Sequence, residues 1–547
     1  ITPTGGCVAF ILRRERNSGS RRSTLSEAKP RLILRKKKMF IEIVGICLAL
    51  LVLSILREKI PHWRGILPPS PTPLPIIGHF HLLGPLIHHA FRDLSSRYGP
   101  LIYLKLGSVP CVVASTPDLA KELLKHNDLT FSARKHSFAV DQLTYSSSFA
   151  FAPYGPYWKF VKKVSTFEFL GNRVLNHFLP VRAKELRRFL DTMKASAQEG
   201  RSVNVTQELI KLSNNIISMM MFGFRSSETE SQADVARALV REVTQLFGEF
   251  NVSDFIWLLK NVDVQGFKKK TEGLHQRYDD FLEEIICTRE RERKEPGRPL
   301  EESNSFLDIM LEHMEDDNQE VELTRKHIKA LILDFLTAAT DTTAISVEWA
   351  LAELVNHPRV FAKAREEIDA VVGLQRVVQE ADFPNLPYLQ AVVKETFRLH
   401  PPIPMIIRKS IQDCKVQGYV IPANTTLFVN MWSIARDPKY WEEPLEFKPE
   451  RFLVSGDNID VKGQHFQLLP FGTGRRSCPG VSLAMQEVPV TLAAMIQCFD
   501  WVVPNGSGGS EKEKGEKRFV DMSERPGLTA PRVMDLMLQP VCRSGHV

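Results

Sequence analysis

Residues 471–480 read Phe471-Gly472-Thr473-Gly474-Arg475-Arg476-Ser477-Cys478-Pro479-Gly480, and the apolar run VSLAMQEVPVTLAAMIQCF follows at 481–499. Gly474 permits a tight backbone turn. Cys478 stands just ahead of a helix over 481–499, whose free N–H groups and positive potential stabilise a thiolate. Arg476 offers a planar fork suited to a carboxylate. Gly480 lets the helix approach a flat group closely. Taken alone, Cys478 reads most simply as an inert cysteine in a Gly-rich turn. The set Phe471, Gly474, Arg476, Cys478 and Gly480 recurs by chance in only roughly one in ten thousand chains of this length, which outweighs that reading.

This segment resembles the haem-binding signature of the cytochrome P-450 family, FxxGxRxCxG, at every fixed position. The resemblance covers 39–547. It implies a mainly α fold with a small β portion, preceded by a transmembrane anchor. It also implies that Cys478 binds the iron of haem b, that Phe471, Gly474 and Gly480 shape its loop, and that Arg476 meets a haem propionate. A thiolate ligand pushes electron density toward the iron and favours O–O cleavage.

Upstream, 323–357 has a helical pattern, apolar through 330–336 and then interrupted by Ala338-Ala339-Thr340-Asp341-Thr342-Thr343. An acid and three threonines inside an apolar helix are costly unless paired or used. Mid-helix threonine bonds back to a carbonyl and bends the helix, so a local opening able to hold water or dioxygen is expected. The bland alternative is a polar patch against another helix. Asp341-Thr342 resembles the family's acid–alcohol pair, which implies catalytic proton delivery to bound oxygen. Ala339 stands where Gly is commoner.

Glu395 and Arg398 form an i,i+3 pair, common in helices and weak by itself. Pro449-Glu450-Arg451-Phe452 is similar to the family's PERF element, which implies a structural triad of Glu395, Arg398 and Arg451 behind the haem. A surface salt bridge, worth little, is the alternative. By the same resemblance Trp158, Lys162 and Arg408 join the haem-binding residues. Lys162 departs from the commoner Arg, keeping the charge but losing the fork.

The chain of 547 residues carries +7, but 1–38 hold eleven Lys and Arg against two Glu, which leaves the remainder at −2. The basic balance therefore belongs to the extension, and no nucleic-acid partner is expected. The cysteines Cys7, Cys47, Cys111, Cys287, Cys414, Cys478, Cys498 and Cys542 make no CxxC pair, so neither a disulfide nor a zinc framework is read. A reducing, cytosol-facing environment fits.

Met39 is the first methionine, and a helix over 39–56 spans roughly 27 Å, near the thickness of an endoplasmic reticulum membrane. Arg57, Lys59 and Arg64 favour a cytoplasmic C-terminal side. Residues 1–38 are read as a disordered, translated upstream extension, with a basic transit segment as the rival. Residues 57–78, basic and then Pro-rich, read as a stiff hinge. Residues 79–547 read as one haem-thiolate monooxygenase domain. Strands are expected at Leu101–Gly107, Val112–Ala114, Lys415–Val420 and Thr426–Val429, and charged connections at 289–305 and 505–518.

The stretch ILDFLTAATDTTAISVEWALAELVNHP, with PPIPMIIRKS and ERPGLTAPR, is most similar to the plant microsomal group of flavone synthase II and flavanone 2-hydroxylase. That resemblance implies O2, electrons from NADPH through cytochrome P-450 reductase, and hydrogen abstraction at C2 of a flavanone such as naringenin. Rebound gives a 2-hydroxyflavanone, and net desaturation gives a flavone. Exposed Arg475 is expected to meet the reductase. Pocket linings carried over are Ala338, Thr342, Ile403, Met405, Ile406, Leu528 and Thr529, for which plain core packing is the alternative. Other readings are a different phenolic hydroxylase, an isoflavone synthase, a haem isomerase acting on peroxides, and a non-catalytic haem-thiolate sensor or carrier.

Overall fold

The computed structural model describes 66–223, 230–294, 305–454, 459–504 and 519–543, less 317 and 319, together with Glu42 and Gly45. The expected anchor at 39–56 and the expected loop at 505–518 lie outside these residues. The chain divides into two units, Ile1–Trp63 and Arg64–Val547. The second unit holds the body of the protein.

Its longer helices are α1 (Ile87–Tyr98), α2 (Pro156–Val164), α3 (Leu179–Gln198), α4 (Val205–Phe222), α5 (Glu230–Gly248), α6 (Phe267–Lys294), α7 (Phe306–Glu315), α8 (Arg325–Asn356), α9 (Pro358–Val372), α10 (Pro387–Leu399) and α11 (Val481–Cys498). The strands are β1 (Leu101–Leu106), β2 (Val109–Ala114), β3 (Val203–Asn204), β4 (Met405–Lys409), β5 (Cys414–Val416), β6 (Tyr419–Ile421), β7 (Thr426–Asn430), β8 (Phe499–Val502) and β9 (Met537–Cys542). The largest sheet runs β1-β2-β7-β4, with β2 and β7 parallel and the other pairs antiparallel. This is a mostly helical body with a small β portion, as the sequence implies.

Two sequence readings are corrected. Residues 289–294 are not a connection. They complete α6, where buried Arg289 donates to Asp308 at 2.8 Å, an ion pair linking α6 to α7 that no local pattern announces. The stretch 415–420 is not one strand but the hairpin β5–β6, because Gln417 and Gly418 both take positive φ. Residues 66–78, read as part of a hinge ahead of the body, lie against it. Pro69 accepts from the Tyr103 N–H at 2.9 Å, and a Cβ on Gly78 would meet the Lys105 carbonyl.

The central helix α8 carries a capping box at Thr324 and is buried at 328–337 and again at 343–354. It packs on α4 and on α11. Among the described residues, α8 and α11 are long and apolar enough to cross a membrane, and most of each is buried in the body.

Candidate functional site

The 471–480 loop folds on itself before α11 begins. The Cys478 N–H donates to the Phe471 carbonyl at 2.9 Å and the Ser477 N–H to Gly474 at 3.1 Å. Gly474 has φ +72°, and a Cβ there would stand 2.9 Å from the Leu124 carbonyl, so the position demands glycine. Phe471 packs edge-on to Phe397 of α10 at 5.3 Å. A Cβ on Gly480 would have only the Cys478 sulfur in contact, at 3.8 Å. Cys478 itself is exposed, yet burial raises its thiol pKa, while the Gly480 N–H, Lys162 and Arg134 lower it. A residue both accessible and desolvated faces an internal opening.

Cations crowd this opening. Arg476 is buried and donates to the carbonyls of Ser132, at 2.9 Å, and Ala152, with its guanidinium 4.7 Å over the Trp158 ring. Arg408, on β4 and 2 % exposed, donates to the Arg476 carbonyl at 3.0 Å. Burial pushes Arg476 down to about 10, and Arg134 beside it adds to the fall. Burial likewise carries Arg408 well below its usual value, with Arg134 and Arg476 repelling it further. Lys162 is half-buried and lowered by desolvation, with Cys478 raising it. Arg134 was not anticipated. Burial brings it to about 10, and Cys478 acts on it. In the sequence it is one of two adjacent cations, Arg134 and Lys135, in the polar stretch 132–137. Arg134 Nε and Arg408 Nη1 are buried with no hydrogen-bond partner among the described residues.

On α8 the buried, apolar pattern is interrupted at 338–343 as expected, while the helix itself is continuous there. Its polar groups are satisfied from within. Thr342 Oγ donates to the Ala338 carbonyl at 2.7 Å, Ser346 Oγ to Thr342 at 2.7 Å and Thr337 Oγ to Leu333 at 2.7 Å. Thr340 instead accepts from Asn214 of α4 at 3.3 Å. An opening does exist, but beside the helix: Ala338 is exposed between two buried stretches, and Thr342 is half-buried one turn on. Asp341 points elsewhere. Burial raises its pKa, and Thr244 and Arg241 of α5, with Arg525, lower it. Asp341 and Thr342 thus occupy adjacent faces of one helix. Ile403 is exposed, and Met405, Ile406, Leu528 and Thr529 are half-buried.

Behind the loop, Glu395 and Arg398 are fully buried and joined by two bonds of 2.7 and 2.8 Å. Arg451 Nε reaches the same carboxylate at 3.1 Å, and the Lys448 N–H at 2.8 Å. Arg475 lies on Asp128 at 2.6 Å with its side chain 44 % exposed, so part of its charge is already engaged within the chain.

Residues 68–529 match the cytochrome P450 family. The chain is a cytochrome P450. It is 59% identical over 480 residues to Cytochrome P450 93B2 of Gerbera hybrida, covering 87% of this chain and 92% of that one. It is 50% identical to 3,9-dihydroxypterocarpan 6A-monooxygenase of Glycine max, over 87% of this chain and 93% of the relative. It is 47% identical to 2-hydroxyisoflavanone synthase of Glycyrrhiza echinata, over 88% and 92%. Among solved structures, a zebra fish cytochrome P450 with progesterone superposes with a TM-score of 0.69 at 26% identity, covering 83% of this chain and 99% of that one. The protein is therefore a haem-thiolate monooxygenase that uses haem b, O2 and NADPH-derived electrons delivered by a reductase.

Proposed function

We propose that this cytochrome P450 oxidises flavanones such as naringenin at C2, yielding a flavone or a 2-hydroxyflavanone, with Cys478 as the residue that would hold the haem iron. The cofactor part rests on one observation above all: buried cations converge around Cys478, and two of their nitrogens lack partners among the described residues. Desolvated guanidinium groups without acceptors are costly. The two carboxylates of haem b supply the missing acceptors. Arg134, Arg408, Arg476 and Lys162 would hold those carboxylates, Trp158 backs Arg476, and Glu395, Arg398 and Arg451 brace the loop from behind.

Haem b, when bound, supplies the oxygen and one-electron chemistry. The chain's own residues do the rest. The Gly480 N–H, Lys162 and Arg134 oppose the effect of burial on Cys478 and so favour its thiolate. Phe471, Gly474 and Gly480 leave room for a flat group beside the sulfur. Thr342 Oγ holds a proton next to Ala338, and Asp341, on the adjoining face, passes protons inward from the Arg241–Arg525 side. Ala338, Ile403, Met405, Ile406, Leu528 and Thr529 offer an apolar wall with few polar contacts, suited to orienting a flat phenolic.

Support for the substrate comes from likeness. The 332–358 stretch and the ERPGLTAPR segment resemble flavone synthase II, and two relatives are named for a 2-hydroxyisoflavanone and a dihydroxypterocarpan, oxygenated ring systems of the same kind. We further propose that 39–56 anchors the chain in the endoplasmic reticulum membrane with the body facing the cytosol, where the reductase meets it. Microsomes containing the full chain, with reductase, NADPH and naringenin, are expected to form apigenin-type flavone or its 2-hydroxy precursor. No consumption of any flavanone removes the substrate assignment.

A further inference from the structure

The segment that carries Leu528 and Thr529 is a hairpin over 523–533. It is closed by Val533 N–H to Ser523 at 2.9 Å and Arg525 N–H to Pro531 at 2.8 Å, with a bridge between Glu524 and Arg532. Its tip is held by groups that stand behind the lining of the opening.

At the base, the Glu524 carboxylate takes His88 Nε2 at 2.6 Å, His89 Nε2 at 3.2 Å and Trp432 Nε1 at 2.8 Å. Although burial raises its pKa, those partners hold the carboxyl at about 2. At the near side of the tip, Ala530 is clamped through both backbone groups. Its N–H donates to the Pro402 carbonyl at 2.9 Å, and its carbonyl accepts from Trp349 Nε1 at 2.9 Å. Trp349 is itself fixed. It is 1% exposed on α8 and stacks on His400 at 4.1 Å and 7°, while His400 bonds Glu353 at 2.6 Å. At the far side stands Gly248, the last residue of α5. A Cβ there would come 2.7 Å from the Leu528 backbone nitrogen and 3.4 Å from the Gly527 Cα. Gly248 is not among the residues with positive φ, so alanine suits its backbone and only the close approach requires glycine. The clamp at Ala530 also ties the hairpin to the connector bearing Ile403.

We propose that Trp349 and Gly248 are specificity-determining positioning residues. Between them they fix how far the hairpin tip reaches toward Ala338 and Thr342, and so the length of aromatic ligand that fits. The inference rests on the haem-thiolate reading for the place of the opening, but not on the flavanone assignment. Trp349→Phe keeps the stack on His400 and removes one bond to Ala530. Gly248→Ala pushes on backbone, which cannot yield as a flexible side chain does.

The test uses the full-chain holoenzyme of wild type and each variant, with haem loading verified by the absorption of the reduced carbon monoxide complex. Optical titration then gives Kd for imidazole, which needs only the iron, and for 4-phenylimidazole, which also needs the space above it. Imidazole affinity is expected to stay constant. The 4-phenylimidazole Kd should change roughly fivefold in Trp349→Phe, the worth of one hydrogen bond. In Gly248→Ala the change should reach about tenfold or more, as overpacking does. KM for naringenin should move with it while the carbon monoxide spectrum stays intact. An unchanged ratio of the two Kd values in Gly248→Ala overturns the proposal, and that variant decides the matter if Trp349→Phe fails to load haem. Should wild type leave naringenin untouched, the flavanone reading falls and the ratio still tests the hairpin.

Discussion

Behind the Cys478 loop, both oxygens of Glu395 are in use, accepting from Arg398, Arg451 and the Lys448 N–H, and neither Glu395 nor Arg398 has any exposed surface. In front of it, Ala338 is exposed in the middle of a buried helix, and two buried guanidinium nitrogens have no acceptor among the described residues. One half is finished by the chain alone, and the other offers cations suited to a flat, dianionic partner. A saturated half is rigid and tolerates nothing. An open half owes its shape to what surrounds it and is free to diverge between relatives with different substrates.

The comparison breaks most visibly at its centre. Cys478→Ser is expected to abolish turnover and the red-shifted absorption of the reduced carbon monoxide complex, since a hydroxyl is not a thiolate. If that band persists, another residue holds the iron and the assignment of halves is wrong. Next in size comes the rear scaffold. Arg398→Ala leaves Glu395 buried with its bidentate partner gone, at a cost of about 3–5 kcal/mol, and little holoprotein is expected on expression. Arg398→Lys retains the charge without the fork and should recover only part of the yield. Normal haem content in Arg398→Ala would show that the front half carries the stability.

The front half responds differently. Thr342→Ala should keep haem and its spectrum while product formed per NADPH consumed falls, by about a hundredfold if Thr342 holds the transferred proton. Among the described residues its Oγ bonds only the Ala338 carbonyl, so the helix loses little. Unchanged product yield per NADPH discards the proton role.

The same division explains what the sequence disclosed. The rear half is built from short, local patterns: Glu395 and Arg398 one turn apart, the 471–480 loop abutting its helix, Arg451 inside a four-residue element. Those patterns survive in one dimension. The opening draws on 134, 248, 338–342, 349, 403–406 and 528–529, and no local spacing joins them. Arg134 went unread because a cation beside Lys135 in a polar stretch looks solvated, and Gly248 because a helix-ending glycine looks like a cap. The back-bonding expected of the hydroxyls around 338–343 is present, and it leaves the backbone continuous. Thr337, Thr342 and Ser346 each bond back four residues, which satisfies the hydroxyls without opening the helix. The residues still created an opening, because Ala338 is small, not because the backbone parts.

Glu487 sharpens the comparison, since it is an unsatisfied group in the saturated half. It lies on α11, 4% exposed, and its Oε1 has no partner among the described residues. Arg182, the nearby cation, already pairs with Glu380 at 2.7 Å. Burial raises the Glu487 carboxyl from its usual 4.5 to about 8, with Arg182 lowering it and Glu380 raising it. Below pH 4.5 the folded and unfolded chains both hold the proton, and Glu487 costs nothing. Between pH 4.5 and 8 only the folded chain keeps it, so stability falls as pH rises, and the full cost stands above pH 8. Glu487→Gln removes a group that must ionise. It should stabilise the holoprotein against thermal unfolding only slightly at pH 5 and by on the order of a few kcal/mol at pH 8. An equal shift at both pH values denies that Glu487 titrates in this range. Destabilisation at pH 8 would mean that Glu487 is charged there and held by Arg182, which would make the rear half saturated throughout.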